Sequence, residues 1–352
     1  MNSVAVLGLG KVGALAAELL RDAGFNVTGY DVSPTASPTR VEVAPLDVND
    51  EHALRTVLQG ADAVLSCLPF YLNASIAQVA HSLGIHYFDL TEDVPTTKAI
   101  LDLAMSSKGL MAPQCGLAPG FVGIVAADLI ARFDYCRSCR LRVGALPQHP
   151  TGLMGYSFNW SPEGVVNEYL NDCEVLEDGE HKWVSPMEWI EKIVIGGVEL
   201  EAFTTSGGLG TMFETYHGRV PNIDYKTMRY PGHVQLMNFF FHELLMRDHK
   251  KEAGEILVNA KPPVEDDVVY IHVSAEGTTN GVLKRQEFVR ALLPLEIGGA
   301  HRTAIAWTTA ASVASVIEMV RDGSLPNQGF LKQEDISLAA FLKTRNGARY
   351  AG

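Results

Sequence analysis

The chain has 352 residues, 47% of them hydrophobic and 20% charged, with a formal charge of −13. That length exceeds one ordinary core and suggests two domains of roughly 100–200 residues each. The acidic balance argues against nucleic acid and anionic membrane surfaces, which recruit clustered Lys and Arg. No apolar run reaches the roughly 18 residues of a membrane span.

The opening MNSVAVLGLGKVGALAAELL lacks a basic start and carries Lys11 and Glu18, unlike a secretory leader. Five cysteines in so long a chain make a poor disulfide framework, so a reducing cytoplasm is the expected setting.

Val4–Leu7 is a short apolar run suited to a buried parallel strand. Gly8, Gly10 and Gly13 follow as GxGxxG, and a helix with Leu15, Leu19 and Leu20 on one face ends at Gly24. A second strand, Phe25–Tyr30, closes at Asp31. In that order the glycines read as a dinucleotide fingerprint. Gly8 permits the turn, Gly10 lets the backbone approach a pyrophosphate, and Gly13 lets helix and strand pack closely. The helix start, with Lys11 and Val12, faces the phosphates. Asp31 suits the ribose hydroxyls and would repel a 2′-phosphate, which favours NAD. Arg40 keeps NADP open.

A third strand lies within Val41–Val48. Asp47 and Val48 fall near the adenine, or Asp47 caps the helix His52–Gln59. Then come strand Ala63–Cys67, helix Leu72–Leu83, strand His86–Leu90, helix Val94–Lys108 and a short strand from Leu110. The alternation predicts an α/β unit, a doubly wound parallel sheet with its ligand at the strands' carboxyl ends. Cys67, Leu68, Pro69, Asp89, Leu90, Cys115, Gly116 and Pro119 gather at that end, and all except Cys115 are assigned to the cofactor.

After the helix in CGLAPGFVGIVAADLIARF the pattern changes. Strands at Leu141–Ala145, Glu191–Ile195, Val268–Ser274 and Glu287–Leu292 alternate with long loops rich in Trp, Tyr and Gly. This predicts an α+β domain with a mixed or antiparallel sheet. A long helix from Thr303 to about Val320 leads into a tail expected to rejoin the nucleotide domain. The expected division is 1–122 with 303–352, and 123–302. Cys136 and Cys139 form a lone CxxC that reads as structural, and no metal site is expected.

GYSFNWSPEG, EAFTTSGGLGTM and YKTMRYPGH read as loops that mix aromatics with hydroxyls and charges, as a pocket for a small polar molecule requires. The alternative makes Phe158 and Trp160 core and Lys226 and Arg229 a solvated edge. LMNFFFHELLM, residues 236–246, suits an interface or a buried helix.

Together with GLGKVG, Asp31, CGLAPG at Cys115–Gly120 and LEAFTTSGG at Leu200–Gly208, these stretches resemble the saccharopine dehydrogenase-like family along nearly the whole chain. The resemblance implies a Rossmann domain joined to an α+β domain that binds substrate and dimerises, giving a dimer or a dimer of dimers. Members that oxidise saccharopine typically carry an Asn-Arg-Asp cluster where this chain has TTSGG, which points to a smaller amino acid. The implied reaction is hydride transfer to NAD from the carbon bearing the ε-amine of L-lysine, then imine hydrolysis, loss of ammonia and closure to piperideine-6-carboxylate. Saccharopine, or another opine or secondary amine, is the alternative substrate. A non-catalytic dinucleotide sensor is the alternative of a different class.

Within this reading Arg229 takes the α-carboxylate with its bidentate fork. Free lysine holds its ammonium proton to a pH near 10, so a base is needed, and Asp89, Glu92 or His233 supplies it. Asp89 alternatively caps the next helix, and His233 alternatively packs as an ordinary histidine. Tyr156, Trp160 and Thr205 wall the pocket, and Lys226 adds to its positive field.

Overall fold

The computed structural model describes residues 1–33 and 40–351. Contacts divide the chain into two units, Met1–Ile124 with everything from Ala306 onward, and Val125–Ile305. Gly352, the last residue of the expected segment 303–352, lies outside the described residues.

The first unit is built on β1 (Ser3–Leu7), β2 (Asn26–Asp31), β3 (Glu42–Pro45), β4 (Ala63–Ser66), β5 (His86–Asp89) and β6 (Leu110–Ala112). They pair in parallel in the order β6-β5-β4-β1-β2-β3. The C-terminal pair Gly329–Phe330 adds a short parallel strand beside β6. β1, β4 and β5 are buried nearly end to end, and that is why they read as unbroken apolar runs. The helices α1 (Lys11–Asp22), α2 (Glu51–Leu58), α3 (Phe70–Leu83) and α4 (Val94–Ala104) connect them. In the same unit Tyr350 stacks on Phe121 with ring centres 3.9 Å apart, which ties down the tail. Asp50, not Asp47, caps α2, its side chain accepting from Ala53 N.

The second unit carries β7 (Tyr135–Pro147), β8 (Cys173–Glu177), β9 (Glu180–Val184), β10 (Glu191–Ile195), β11 (Val198–Thr204), β12 (Asn222–Arg229), β13 (Asp267–Thr279) and β14 (Val282–Leu292). The sheet runs β10-β11-β12-β7-β13-β14, with β8 against β12 and β9 against β8. Only the β12–β7 pair is parallel, so the sheet is mixed. The unit begins within α5 (Phe121–Ile130) and also contains α6 (Pro162–Leu170), α7 (Met212–Tyr216), α8 (His233–Asn238) and α9 (Lys250–Ala260). Val165, Val166 and Tyr169 of α6, Val234 and Met237 of α8 and Leu257 of α9 share one core with Leu200, Phe203 and Val268 of the sheet.

Two of the expected loops are strands. EAFT lies in β11 and YKTMR in β12, an inner strand between β11 and β7. Their charged residues hid them, because a strand with buried Glu, Lys and Arg lacks the apolar signature of an interior position. A β-bulge at Arg137 separates Cys136 from Cys139 on β7, so the two pair with Gly277 and Ala275 and share one face of the sheet; all five cysteines are free thiols. In the stretch 236–246, Met237 and Phe241 are buried, whereas Phe239, Leu244 and Leu245 are exposed.

Candidate functional site

The first unit presents a glycine cradle. Gly8 sits at φ 85° and donates to the carbonyl of Tyr30 at 2.9 Å. A methyl group on Gly13 would overlap the Gly8 carbonyl, so this glycine is required by helix packing. Gly10 differs. It caps α1 with no side-chain acceptor and no acid in the first turn, and a Cβ there would meet no protein atom within 4 Å. The protein's own packing therefore does not demand a glycine at position 10. The positive end of α1 and the open space before Lys11, Val12 and Gly13 together fit a pyrophosphate.

Asp31 is fixed beside this loop. One carboxylate oxygen accepts from Leu9 N at 2.8 Å, the other from Ser33 N at 3.0 Å. Arg40 is committed to α1, reaching Glu18 at 3.1 Å and Asp22 at 3.3 Å. Cys67 and Leu68 border the glycine turn: a Cβ on Gly8 would lie 2.9 Å from Leu68 and one on Gly13 would lie 3.0 Å from Cys67. Pro69 is the N-cap of α3. Leu90 neighbours Gly116, and Pro119 is one of the buried residues of the turn that follows. Asp47 is exposed and folds back on Asn49, while Val48 packs at the edge of the core.

Asp89 corrects the expectation of a substrate contact. It is fully buried at the end of β5. One oxygen accepts from Thr91 N at 3.0 Å and Gln114 N at 2.9 Å; the other takes the Tyr87 hydroxyl at 2.7 Å. These bonds hold Gln114 at φ 63°, where a non-glycine residue is strained. The carboxylate thus pins the exits of β5 and β6, and its helix-capping alternative fails too, because Asp93 caps α4. Burial pushes the Asp89 carboxyl up to about 6. Glu92, three residues on in the same loop and half-buried, is pushed up to about 7 by that burial and then by the charges of Asp93 and Asp89.

The second unit buries a guanidinium. Arg229 ends β12 at 2% exposure. Its Nε donates to Tyr169 Oη at 2.9 Å, and its Nη1 to Thr227 Oγ1 at 2.7 Å and to the Met228 carbonyl at 2.8 Å. It lies over the Tyr156 ring at 4.6 Å and the Tyr169 ring at 5.8 Å. Its hydrogen bonds all go to neutral oxygens, while Tyr169, Tyr156 and the buried Glu168 carboxylate act on it electrostatically and help to keep it charged. A buried charge is costly unless its donors are satisfied; in the same unit the buried Thr205 hydroxyl, four positions from the register partner of Arg229, has no hydrogen-bond partner. Trp160 Nε1 donates to Tyr156 Oη at 3.3 Å and so belongs to the same wall.

His233 is buried behind this wall at 1% exposure. Its Nε2 lies 3.1 Å from Tyr169 Oη and its Nδ1 lies 3.1 Å from the Met154 carbonyl. Burial, and then the charge of Arg229, push its pKa down to about 3, so it is neutral and a poor base. Glu201 pairs with Arg229 in strand register, yet its carboxylate turns to the start of α8, accepting from Gly232 N at 3.0 Å and Val234 N at 2.7 Å.

Lys226 is a second correction. It projects from the other face of the sheet, donating to Glu191 at 3.0 Å and to the Trp189 carbonyl at 2.6 Å. Arg142 bridges the same Glu191 and Asp224. A groove of about 440 Å³ runs along that face past Arg140, Arg142, Glu191, Asp224 and Lys226. The ion pairs with Glu191 neutralise Lys226, so it adds nothing to the field at Arg229.

Tyr169 and Met154 went unnoticed in the sequence, and Glu201 and Thr227 were given no role although they lie in the stretches EAFTTSGGLGTM and YKTMRYPGH. Tyr169 sits five residues beyond GYSFNWSPEG, on the inner face of α6, with no signal beyond that of a core aromatic.

A parallel α/β unit with a glycine cradle, followed by a mixed-sheet unit with a buried guanidinium, defines a two-unit dinucleotide-binding protein. The sequence matches the Saccharopine dehydrogenase NADP binding domain over residues 4–111 and the Saccharopine dehydrogenase C-terminal domain over residues 116–344. The chain belongs to the saccharopine dehydrogenase family.

It is 25% identical over 307 residues to the saccharopine dehydrogenase (NADP(+), L-glutamate-forming) of Pyricularia oryzae, covering 78% of this chain and 66% of that protein. Against the Saccharomyces cerevisiae protein of the same name it is 22% identical over 256 residues, 69% of this chain and 56% of that one. The chain thus spans less than two thirds of these curated relatives. The solved structure of apo histidine-tagged saccharopine dehydrogenase (L-Glu forming) from Saccharomyces cerevisiae shares the fold, with a TM-score of 0.73 at 17% identity over 97% of this chain and 96% of that one. No helix among the described residues is long and apolar enough to cross a membrane, and no group of three or more His, Cys, Asp or Glu among them is placed to hold a metal.

Proposed function

We propose that this protein is an NAD-dependent amino-acid dehydrogenase that oxidises the side-chain amine of L-lysine, the activity of a lysine 6-dehydrogenase. The observation that carries the reading is Arg229, a buried guanidinium whose hydrogen bonds all go to neutral oxygens, in the same unit as the unsatisfied Thr205 hydroxyl. That pair suits a ligand with a carboxylate and a further polar group.

The α1 cradle, with Gly8, Gly10 and Gly13, would hold NAD, which would supply the hydride acceptor for the amine-bearing carbon. The protein's residues bind, orient and deprotonate. Arg229 holds the α-carboxylate, with Tyr156, Trp160 and Thr205 around it. Glu92 takes the ammonium proton, since a carboxylate poised near 7 is matched to that task and both oxygens of Asp89 are otherwise engaged. Asp31 beside the loop and Arg40 locked to Glu18 and Asp22 favour NAD, although the names of the relatives specify NADP(+). Those names also favour a second reading, in which saccharopine is the substrate. A homo-oligomer in a reducing cytoplasm completes the proposal, supported by five free thiols and by exposed Phe239, Leu244 and Leu245.

The test is purified protein with NAD or NADP and a panel of L-lysine, saccharopine and other amines, followed by absorbance of the reduced nicotinamide. Turnover of L-lysine with NAD is expected. Turnover of saccharopine alone replaces the substrate, and dinucleotide binding without any turnover replaces the enzyme with a sensor.

A further inference from the structure

Arg229, Tyr169, His233 and Met154 form one line of hydrogen bonds whose direction can be read from chemistry. A guanidinium Nε–H only donates, so Tyr169 Oη accepts from it at 2.9 Å. A carbonyl only accepts, so the imidazole nitrogen 3.1 Å from the Met154 carbonyl, Nδ1, must carry the proton. In a neutral ring Nε2 is then a bare acceptor, and the Tyr169 proton must point at it across 3.1 Å. The other side of the imidazole is packed: Tyr156 lies edge-on with centres 5.1 Å apart and Phe203 stacks at 6.3 Å. Glu201 fixes the backbone on both sides of His233 through Gly232 N and Val234 N.

We propose that His233 is a positioning residue for Arg229. It acts as a neutral, Nδ1-protonated imidazole that holds the Tyr169 hydroxyl proton and so turns that oxygen toward the guanidinium. This rests on the reading of Arg229 as the carboxylate-binding group. Tyr169 rotated the other way would present its proton to Arg229 Nε, two donors facing each other, and the fork would lose its fixed plane. The depressed basicity of His233 supports the assignment, because a charged imidazole would present a proton to Tyr169 and sit beside a guanidinium. His233 touches no reacting atom in this arrangement.

Three measurements test it. In the full-length protein labelled with 15N-histidine, the resonance lost in His233→Gln should be a neutral Nδ1–H imidazole that does not titrate between about pH 5 and 9. In kinetics with L-lysine and NAD, His233→Leu should raise KM by about tenfold or more. kcat should change less and the NAD Kd should stay put. His233→Gln, whose amide offers one donor and one acceptor, should restore much of the loss. Tyr169→Phe should raise KM similarly, and adding His233→Leu to it should cost little more.

A protonated or Nε2–H imidazole overturns the proposal, as does full additivity of the two substitutions. Loss without rescue by Gln, spread equally over KM, kcat and NAD affinity, overturns it as well. If Arg229→Ala raises KM but His233→Leu and Tyr169→Phe do not, the positioning role fails and the carboxylate reading stands. If Arg229→Ala leaves KM unchanged, the carboxylate reading fails, and the imidazole tautomer still decides the hydrogen-bond line.

Discussion

Lys226 and Arg229 stand three positions apart on β12 and project from opposite faces of the same sheet. Lys226 meets Glu191 at 3.0 Å and is neutralised; Arg229 donates to Tyr169 at 2.9 Å and otherwise to neutral oxygens. A single knot of positive charge in the sequence is thus two environments in the fold. One is an ion-pair network that also contains Arg142 and Asp224. The other is a guanidinium set against the Tyr156 and Tyr169 rings, with the buried Glu168 carboxylate acting on it from further off.

That division gives unequal mutational outcomes. Arg229→Ala is expected to raise the KM for L-lysine by roughly 30-fold or more, since cutting a buried charge pair costs about 2–5 kcal/mol, with NAD affinity retained. Arg229→Lys should recover only part, because an ammonium cannot reproduce the planar fork. Lys226→Met should leave kcat/KM within about threefold, because the lysine's charge is already spent on Glu191. Steady-state kinetics with paired NAD titrations checks all three, and an Arg229→Ala enzyme with unchanged KM removes this residue from the substrate.

The two raised carboxylates, Asp89 and Glu92, have separable roles. Glu92 must be ionised to accept a proton, and burial has pushed it up to about 7. kcat/KM should therefore rise with pH through about 7 and level above it. Glu92→Gln should remove that limb and lower kcat by about 100-fold, the usual scale of general-base catalysis. A pH profile unchanged by Glu92→Gln assigns the base elsewhere.

Asp89→Asn should leave turnover nearly intact and change stability instead. The native state holds the Asp89 proton to about 6, above its ordinary 3.8. The native protein therefore binds more protons than the unfolded chain between those values, and the wild type loses stability as pH rises through that window. Relative to wild type, the unfolding free energy of Asp89→Asn should improve by roughly 2–3 kcal/mol between about pH 4 and 7. Urea melts across that range measure it, and a difference that does not move with pH contradicts the buried, raised carboxyl.

The sequence made the first unit plain because its strands are buried on both faces and its glycines have local jobs. Val4–Leu7, Gly8 and Asp31 act on neighbours within about one βαβ unit. The second unit was harder for a physical reason. β11 and β12 carry Glu201, Lys226 and Arg229 at inner positions, and what makes those charges tolerable lies far along the chain. Glu191 is 35 residues from Lys226, and Tyr169 is 60 from Arg229. The role of Asp89 was hidden in the same way, since one of its partners, Gln114 N, is 25 residues on. Local spacing reports on local hydrogen bonds; an inter-strand ion pair leaves no spacing to read.

Cofactor preference follows from Asp31. Asp31→Ala should weaken NAD by about tenfold, the scale of losing hydrogen bonds to a charged acceptor, and should narrow the ratio of NAD to NADP affinity. Fluorescence titration with both dinucleotides gives the ratio. If it stays where it was, Asp31 serves only its bonds to Leu9 and Ser33.

Three glycines separate packing from ligand binding. A methyl on Gly208 would overlap the Tyr225 ring, and one on Gly13 would overlap the Gly8 carbonyl. Overpacking of this kind costs about 1–3 kcal/mol or more, so Gly208→Ala and Gly13→Ala should both lower the melting temperature. Gly10→Ala should not. Its backbone, φ −65° and ψ −171°, suits any residue, and its Cβ would meet no protein atom within 4 Å. The substitution should leave the fold as stable as before, or about 0.4–1 kcal/mol more so, through the lower entropy of the unfolded chain. The same methyl would stand where the backbone must approach the pyrophosphate, so NAD affinity should fall by about tenfold or more. A stable Gly10→Ala protein that binds NAD as tightly as wild type would place the dinucleotide somewhere other than the start of α1.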